Sequence, residues 1–143
     1  MVAPILMSLI AAILPGISMP NAWAADDAKA LPYSEKLLSD TRAKNPEDLI
    51  VLHFHAAWCP VCRKQSLVLK KIIPDAKFKD VHFIAANYDT DTDLNKKYGV
   101  TDQSTFVAFR GKEKGDPKKS PRSSFVTDEE AIRAFIAKEL ENK

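Results

Sequence analysis

Residues 49–73 read LIVLHFHAAWCPVCRKQSLVLKKII, and the change of pattern inside this stretch decides the fold. Its first part, Leu49 to Ala56, is short, apolar and rich in β-formers, which predicts a buried strand. From Pro60 to Ile73 the period changes, and Val61, Leu67, Val68, Ile72 and Ile73 fall on a helical stripe. Pro60 suits a first helical turn, where a missing N–H costs nothing, and Pro74 closes the element. At the junction lies Cys59-Pro60-Val61-Cys62, which holds both cysteines of the chain.

That context gives the pair a chemistry. A helix N-terminus carries unpaired N–H groups and a partial positive charge. A thiolate placed there is stabilised and nucleophilic near neutral pH. Cys59 sits at or just before the helix start, and Cys62 follows one turn later, within reach of it. Two-step exchange is implied: Cys59 attacks a disulfide, and Cys62 resolves the mixed disulfide. A purely structural bridge explains the spacing less well. Closing so small a loop contributes roughly 2 kcal/mol, against about 4.7 kcal/mol for a 100-residue loop. Zinc or copper ligation by the two thiolates is the other alternative.

Outward from this stretch, helices and strands alternate. Tyr33 to Lys44 has helical spacing and ends at Asn45-Pro46. Val81 to Asn87 reads as a strand, Asp91 to Tyr98 as a short helix capped by Gly99, and Thr105 to Phe109 as a strand. Arg110 to Ser120 is a polar loop, and Ser123 to Val126 a short strand. Asp128 to Leu140 is an amphipathic helix with Ala131, Ile132, Phe135, Ile136 and Leu140 inward. The order α-β-α-β-α-β-β-α predicts an α/β fold, a mixed and mainly parallel sheet with helices on both faces. Phe54, Phe83, Phe106 and Phe109 read as core. The length, 143 residues, bounds the chain to one domain.

Charge excludes some partners. With 21 basic and 19 acidic residues the net charge is +2, too balanced to predict nucleic acid as the partner. Lys118, Lys119 and Arg122 read as a solvated loop. Asp89, Asp91 and Asp93 have a calcium-like spacing but lack the glycine and distal glutamate of such loops, and read as a solvated helix cap.

No charged side chain precedes Asp26, Val2 to Met19 is almost wholly apolar, and Ala22-Trp23-Ala24 matches a signal-peptidase site. Residues 1–24 are therefore expected to be a secretory signal, although no basic residue precedes the apolar run. An uncleaved membrane anchor is the alternative, made less favourable by Pro15-Gly16 and the short clean run from Ile5 to Leu14. Residues 25–32 are expected to be a flexible mature N-terminus, and a periplasmic or secreted location follows.

The run Phe54-His55-Ala56-Ala57-Trp58-Cys59-Pro60-Val61-Cys62-Arg63 resembles the active-site segment of the thioredoxin family. Asn87-Tyr88-Asp89, Lys97-Tyr98-Gly99-Val100 and Ser104-Thr105-Phe106-Val107-Ala108-Phe109 match later landmarks of that family in order and spacing. The resemblance implies a thioredoxin-like domain over residues 33–143 and thiol–disulfide exchange with protein disulfide substrates. Cys59 is implied as the exposed nucleophile and Cys62 as the buried resolver. Separately, a monomer with no cofactor and no bound metal is expected. Trp58, Pro60, Val61, Ser104 and Thr105 are the implied substrate contacts, with Trp58 a flat apolar surface beside Cys59.

Three positions depart from the family. Ser104 stands where thioredoxins place a cis-proline facing the cysteines. A cis bond before a non-proline costs about 2.5–4 kcal/mol, so a trans or reshaped loop is expected. Its hydroxyl is a candidate partner for a thiolate or a metal. His53 replaces a buried carboxylate and is a candidate relay for the Cys62 proton, since a free imidazole titrates near neutrality. His55 replaces an aromatic residue and shares a sheet face with His53.

The expected function is an extracytoplasmic disulfide reductase, or less favourably an oxidase. In an oxidising compartment a reductase needs an electron donor such as a membrane thiol carrier. The competing class is a metallochaperone that binds Cu(I) or Zn(II) through Cys59 and Cys62, helped by His53 or His55.

Overall fold

The computed structural model describes residues 30–142. The expected signal and most of the expected flexible terminus lie outside the described residues. The elements are β1 (Leu31–Pro32), α1 (Glu35–Lys44), β2 (Leu49–His55), α2 (Pro60–Ile72), β3 (Val81–Asn87), α3 (Thr92–Tyr98), β4 (Thr105–Arg110), β5 (Arg122–Ser124) and α4 (Glu129–Glu141). They form one five-stranded sheet in the order β1-β3-β2-β4-β5. β1 and β2 pair parallel to β3, while β4 runs antiparallel to both β2 and β5. The sheet is mixed, as the alternation predicts.

β2 is central, and both of its faces are covered. Ile50, Leu52 and Phe54 pack with Leu38 of α1 and Leu94 and Tyr98 of α3. Leu49 and Val51 face the other way, with Leu69 and Ile72 of α2 and Ile132 and Ile136 of α4. Strand periodicity alone produces this division, since alternate side chains take opposite faces. His53 and His55 continue the α2 side of the strand.

Local signals fix the element ends. Ser34 caps α1 by accepting the Leu37 N–H. Gly99 ends α3 at φ 61°, a left-handed conformation that favours glycine. Gly111 is required for space: a Cβ there would lie 2.4 Å from the Asn45 carbonyl oxygen.

Four expectations are corrected. Leu31 and Pro32 are an edge strand against Ile84 and Ala85, not part of a flexible terminus. The inward stripe of α2 is Cys62, Gln65, Leu69 and Ile72, whereas Leu67 is 61% exposed. Ala131 is exposed on α4, because Ile132 and Ile136 set the buried face. β5 lies one residue earlier than expected and stops at Ser124, because Phe125 takes φ 61° and leaves the strand.

Candidate active site

The site forms where β2 ends and α2 begins. Cys59 is the N-cap of α2, with extended backbone at φ −82° and ψ 112°. Its N–H donates to the Ala56 carbonyl at 3.2 Å, closing the turn that leaves the strand. Its Sγ accepts the Cys62 backbone N–H at 3.1 Å. One of the orphan donors of the helix start is thus aimed at sulfur, a contact that strengthens when the acceptor carries charge. Pro60 occupies the first turn without wasting a donor.

The two thiols, both free, differ in surroundings. Burial pushes the Cys62 thiol up to about 11; a hydrogen bond with Cys59 acts in the same direction, and the backbone of Ala56 and Ser104 acts against it. Cys62 therefore keeps its proton at neutral pH, while the Cys59 sulfur faces a donor. Cys59 is nevertheless not the exposed nucleophile that the family resemblance implies. It is 2% exposed, as is Cys62, and both sulfurs pack with Ala56 and Val61. The exposed groups beside it are Trp58, at 61%, and Pro60. Trp58 Nε1 donates to Asp89 Oδ2 at 3.0 Å, so Asp89 does more than solvate a helix end.

The Ser104 loop completes the enclosure. Every described peptide bond is trans, and Ser104 takes φ 59°. For a residue with a Cβ that conformation costs about 1–2 kcal/mol. Ser104 is fully buried. Its hydroxyl donates to the Gln103 carbonyl at 2.6 Å, so it is not directed at a thiolate or a metal. Thr105 is buried too, and its hydroxyl bonds the Asp102 carbonyl and the Ser124 hydroxyl.

His53 is buried, its ring stacked on Phe106 with centroids 4.6 Å apart and 5.6 Å from the His55 centroid. Its Nε2 lies 2.9 Å from Gln65 Oε1. Gln65 Nε2 donates to the Ser104 carbonyl at 3.1 Å and the Val126 carbonyl at 2.9 Å. The amide nitrogen is fully used as a donor, so Oε1 is the acceptor and His53 Nε2 carries the proton. No direct hydrogen bond joins His53 to Cys62, so a relay between them would have to pass through water. Burial lowers the His53 pKa to about 4, opposed by the Gln65 hydrogen bond and reinforced by His55. His55 is also lowered by burial, with Asp91 acting against it. It is half-buried and lines a groove of 370 Å³ together with Cys62, Arg63, Ser66 and Lys70.

Gln65 is the residue that sequence reading missed. A signal for it exists: it stands three residues after Cys62 on the same helical face, so a buried Cys62 implies a buried amide. Among the described residues, no group of three His, Cys, Asp or Glu side chains is placed to hold a metal ion.

The thioredoxin family profile matches residues 34–138, which include every residue of this site. The chain belongs to the thioredoxin family. Among its relatives, zebrafish (Danio rerio) glutaredoxin 3 is 31% identical over 90 residues, 63% of this chain and 26% of that protein. A protein disulfide-isomerase of Arthroderma benhamiae is 27% identical over 129 residues, 88% of this chain and 24% of that protein. The chain thus spans about a quarter of the length of these two relatives. A solved structure, Trxlp from Edwardsiella tarda, shares the thioredoxin fold. Its TM-score is 0.65 at 24% identity, covering 74% of this chain and 96% of that one.

Proposed function

We propose that this thioredoxin-family chain is an extracytoplasmic thiol–disulfide oxidoreductase that reduces protein disulfides through Cys59 and Cys62. The observation that carries the reading is the Cys62 N–H held 3.1 Å from the Cys59 sulfur at the start of α2. Cys59 thiolate attacks one sulfur of a substrate disulfide. That S–S bond breaks, and the other substrate sulfur leaves as a thiolate and takes a proton. Cys62 then loses its proton and attacks Cys59. The second substrate thiol is released, and two electrons have passed from the cysteine pair to the substrate.

Because the Cys59 sulfur is covered, docking has to displace part of the rim formed by Trp58, Pro60 and Val61. Ser104 and Thr105 contribute backbone beside the pair. The position of His53 on β2 suggests it as the acceptor of the proton leaving Cys62. With His53 Nε2 committed to Gln65 and its proton affinity low, we assign that step instead to water in the groove that Cys62 shares with His55. The charge-free, apolar run before Asp26 supports export, and the likeness to thioredoxins supports the reductive direction. In that setting a monomer is recharged by a membrane thiol donor. Among the described residues no His, Asp or Glu is grouped with Cys59 and Cys62 as a third metal donor, so a metal-carrying function would rest on the two sulfurs alone.

Insulin reduction combined with alkylation tests the reading. The wild-type protein is expected to reduce insulin, Cys59→Ser to abolish turnover, and Cys62→Ser to accumulate a mixed disulfide. Cys59 alkylating no faster than a free cysteine would remove the proposal. A reduction potential near about −270 mV supports a reductant, and one near about −120 mV an oxidant.

A further inference from the structure

Ser104 has no ring to fix its backbone, yet it adopts φ 59° in a fully buried loop. Its carbonyl accepts two hydrogen bonds, from Gln65 Nε2 at 3.1 Å and from the Phe125 N–H at 3.0 Å. Gln65 is itself fully buried, and the same nitrogen holds the Val126 carbonyl. One carboxamide on α2 thus ties together the segment that precedes β4, whose Ser104 backbone lies at Cys62, and the segment that follows β5. Its third bond, from His53, fixes which way the amide faces.

We propose that Gln65 is a positioning residue for disulfide exchange: its carboxamide holds Ser104 in the left-handed conformation and so sets the loop that meets a substrate beside Cys59 and Cys62. This rests on the oxidoreductase reading above. Gln65 touches no substrate and acts through Ser104. Without the amide, Ser104 relaxes toward negative φ, as a residue with a Cβ does when nothing opposes it. The loop backbone then moves away from the Cys62 sulfur. Glycine at position 104 takes the left-handed conformation without steric cost, so the remaining bond from the Phe125 N–H suffices to hold the loop.

The test compares wild type, Gln65→Met, Ser104→Gly and the double variant in insulin reduction. Gln65→Met is expected to lower kcat/KM about tenfold, mainly through KM. Adding Ser104→Gly is expected to bring KM back to within about threefold of wild type. The melting temperature should stay low in the double variant, because the Val126 carbonyl and the His53 N–H remain without partners. A purely structural Gln65 gives the opposite pattern, activity following the melting temperature with no rescue by glycine, and that result overturns the proposal. So does an unchanged KM in Gln65→Met. If Gln65→Met fails to fold, NMR of the wild-type protein decides. Couplings across the hydrogen bonds from Gln65 Nε2 to the Ser104 and Val126 carbonyls uphold the clamp, and their absence overturns it. Wild type that does not reduce insulin removes the parent reading, and the couplings still judge the clamp.

Discussion

Acid should unfold this domain through His53. The imidazole is buried and neutral, with its pKa lowered from 6.5 to about 4 by loss of solvation. Between those values an unfolded chain binds a proton at His53 that the folded chain does not. Stability therefore rises with pH across this window; the contribution is complete above about pH 6.5 and is lost as pH falls toward 4. At about 1.4 kcal/mol per pH unit, the window amounts to about 3 kcal/mol. That is a large part of the roughly 5–15 kcal/mol that holds a domain folded. His53→Gln removes the titration and keeps an N–H donor for Gln65 Oε1. Urea unfolding of both proteins at pH 7, 5.5 and 4 measures the effect. Wild type should lose about 1.5 M more in midpoint than His53→Gln between pH 7 and 4, for a slope near 2 kcal/mol/M. His55 and the surface carboxylates titrate in both proteins and cancel in the comparison. Parallel pH profiles for the two proteins would refute the reasoning.

Cys62 supplies the alkaline counterpart. Its thiol is raised from 9.0 to about 11, so the folded state retains a proton that the unfolded state releases. Reduced protein should lose stability as pH rises through that window, and the oxidised protein, which has no thiol to titrate, should not; thermal melts in each redox state at pH 8 and 10.5 check this. Gly111→Ala forces a Cβ to 2.4 Å from the Asn45 oxygen and should cost about 3 kcal/mol in chemical unfolding. Trp58→Ala removes a mostly exposed ring and should change stability by no more than about 1 kcal/mol. It should slow turnover of insulin more than turnover of a small aromatic disulfide, because the ring offers surface to a protein substrate.

The parts of the fold that were legible in the sequence are those governed by a period. β2, β3 and β4 emerge within a residue of their expected limits, and α2 starts at Pro60 because the proline and the helical stripe agree. β1 was not legible, since two residues, one a proline, carry no alternation. The end of β5 depends on the positive φ of Phe125, which nothing in its side chain announces. The site divides in the same way. The cysteine pair and its place at the helix start follow from the spacing, and the structure adds the N–H that Cys59 Sγ accepts from Cys62. Its burial does not follow, because that depends on how neighbouring segments settle around the turn. The relay expected of His53 rests on its place on the strand; its actual hydrogen-bond partner, Gln65, is identifiable only once the buried face of α2 is known.

His53, Gln65 and Ser104 are best understood as one solution. A cis-proline at position 104 would set the loop covalently. Serine requires outside partners, and Gln65 and Phe125 supply them. Once both N–H bonds of the Gln65 amide are directed at carbonyls, its oxygen must accept from β2. A carboxylate at position 53 would place acceptor against acceptor and bury a charge. The conflict would be relieved only by taking up a proton or by turning the amide over, which releases Ser104. An imidazole with its Nε2 protonated meets the amide oxygen without charge and leaves every polar atom of the Gln65 carboxamide paired. Replacing the proline therefore has a consequence on β2: the residue at position 53 must donate to Gln65, and its burial, which that bond only partly offsets, makes it a weak base for the Cys62 proton.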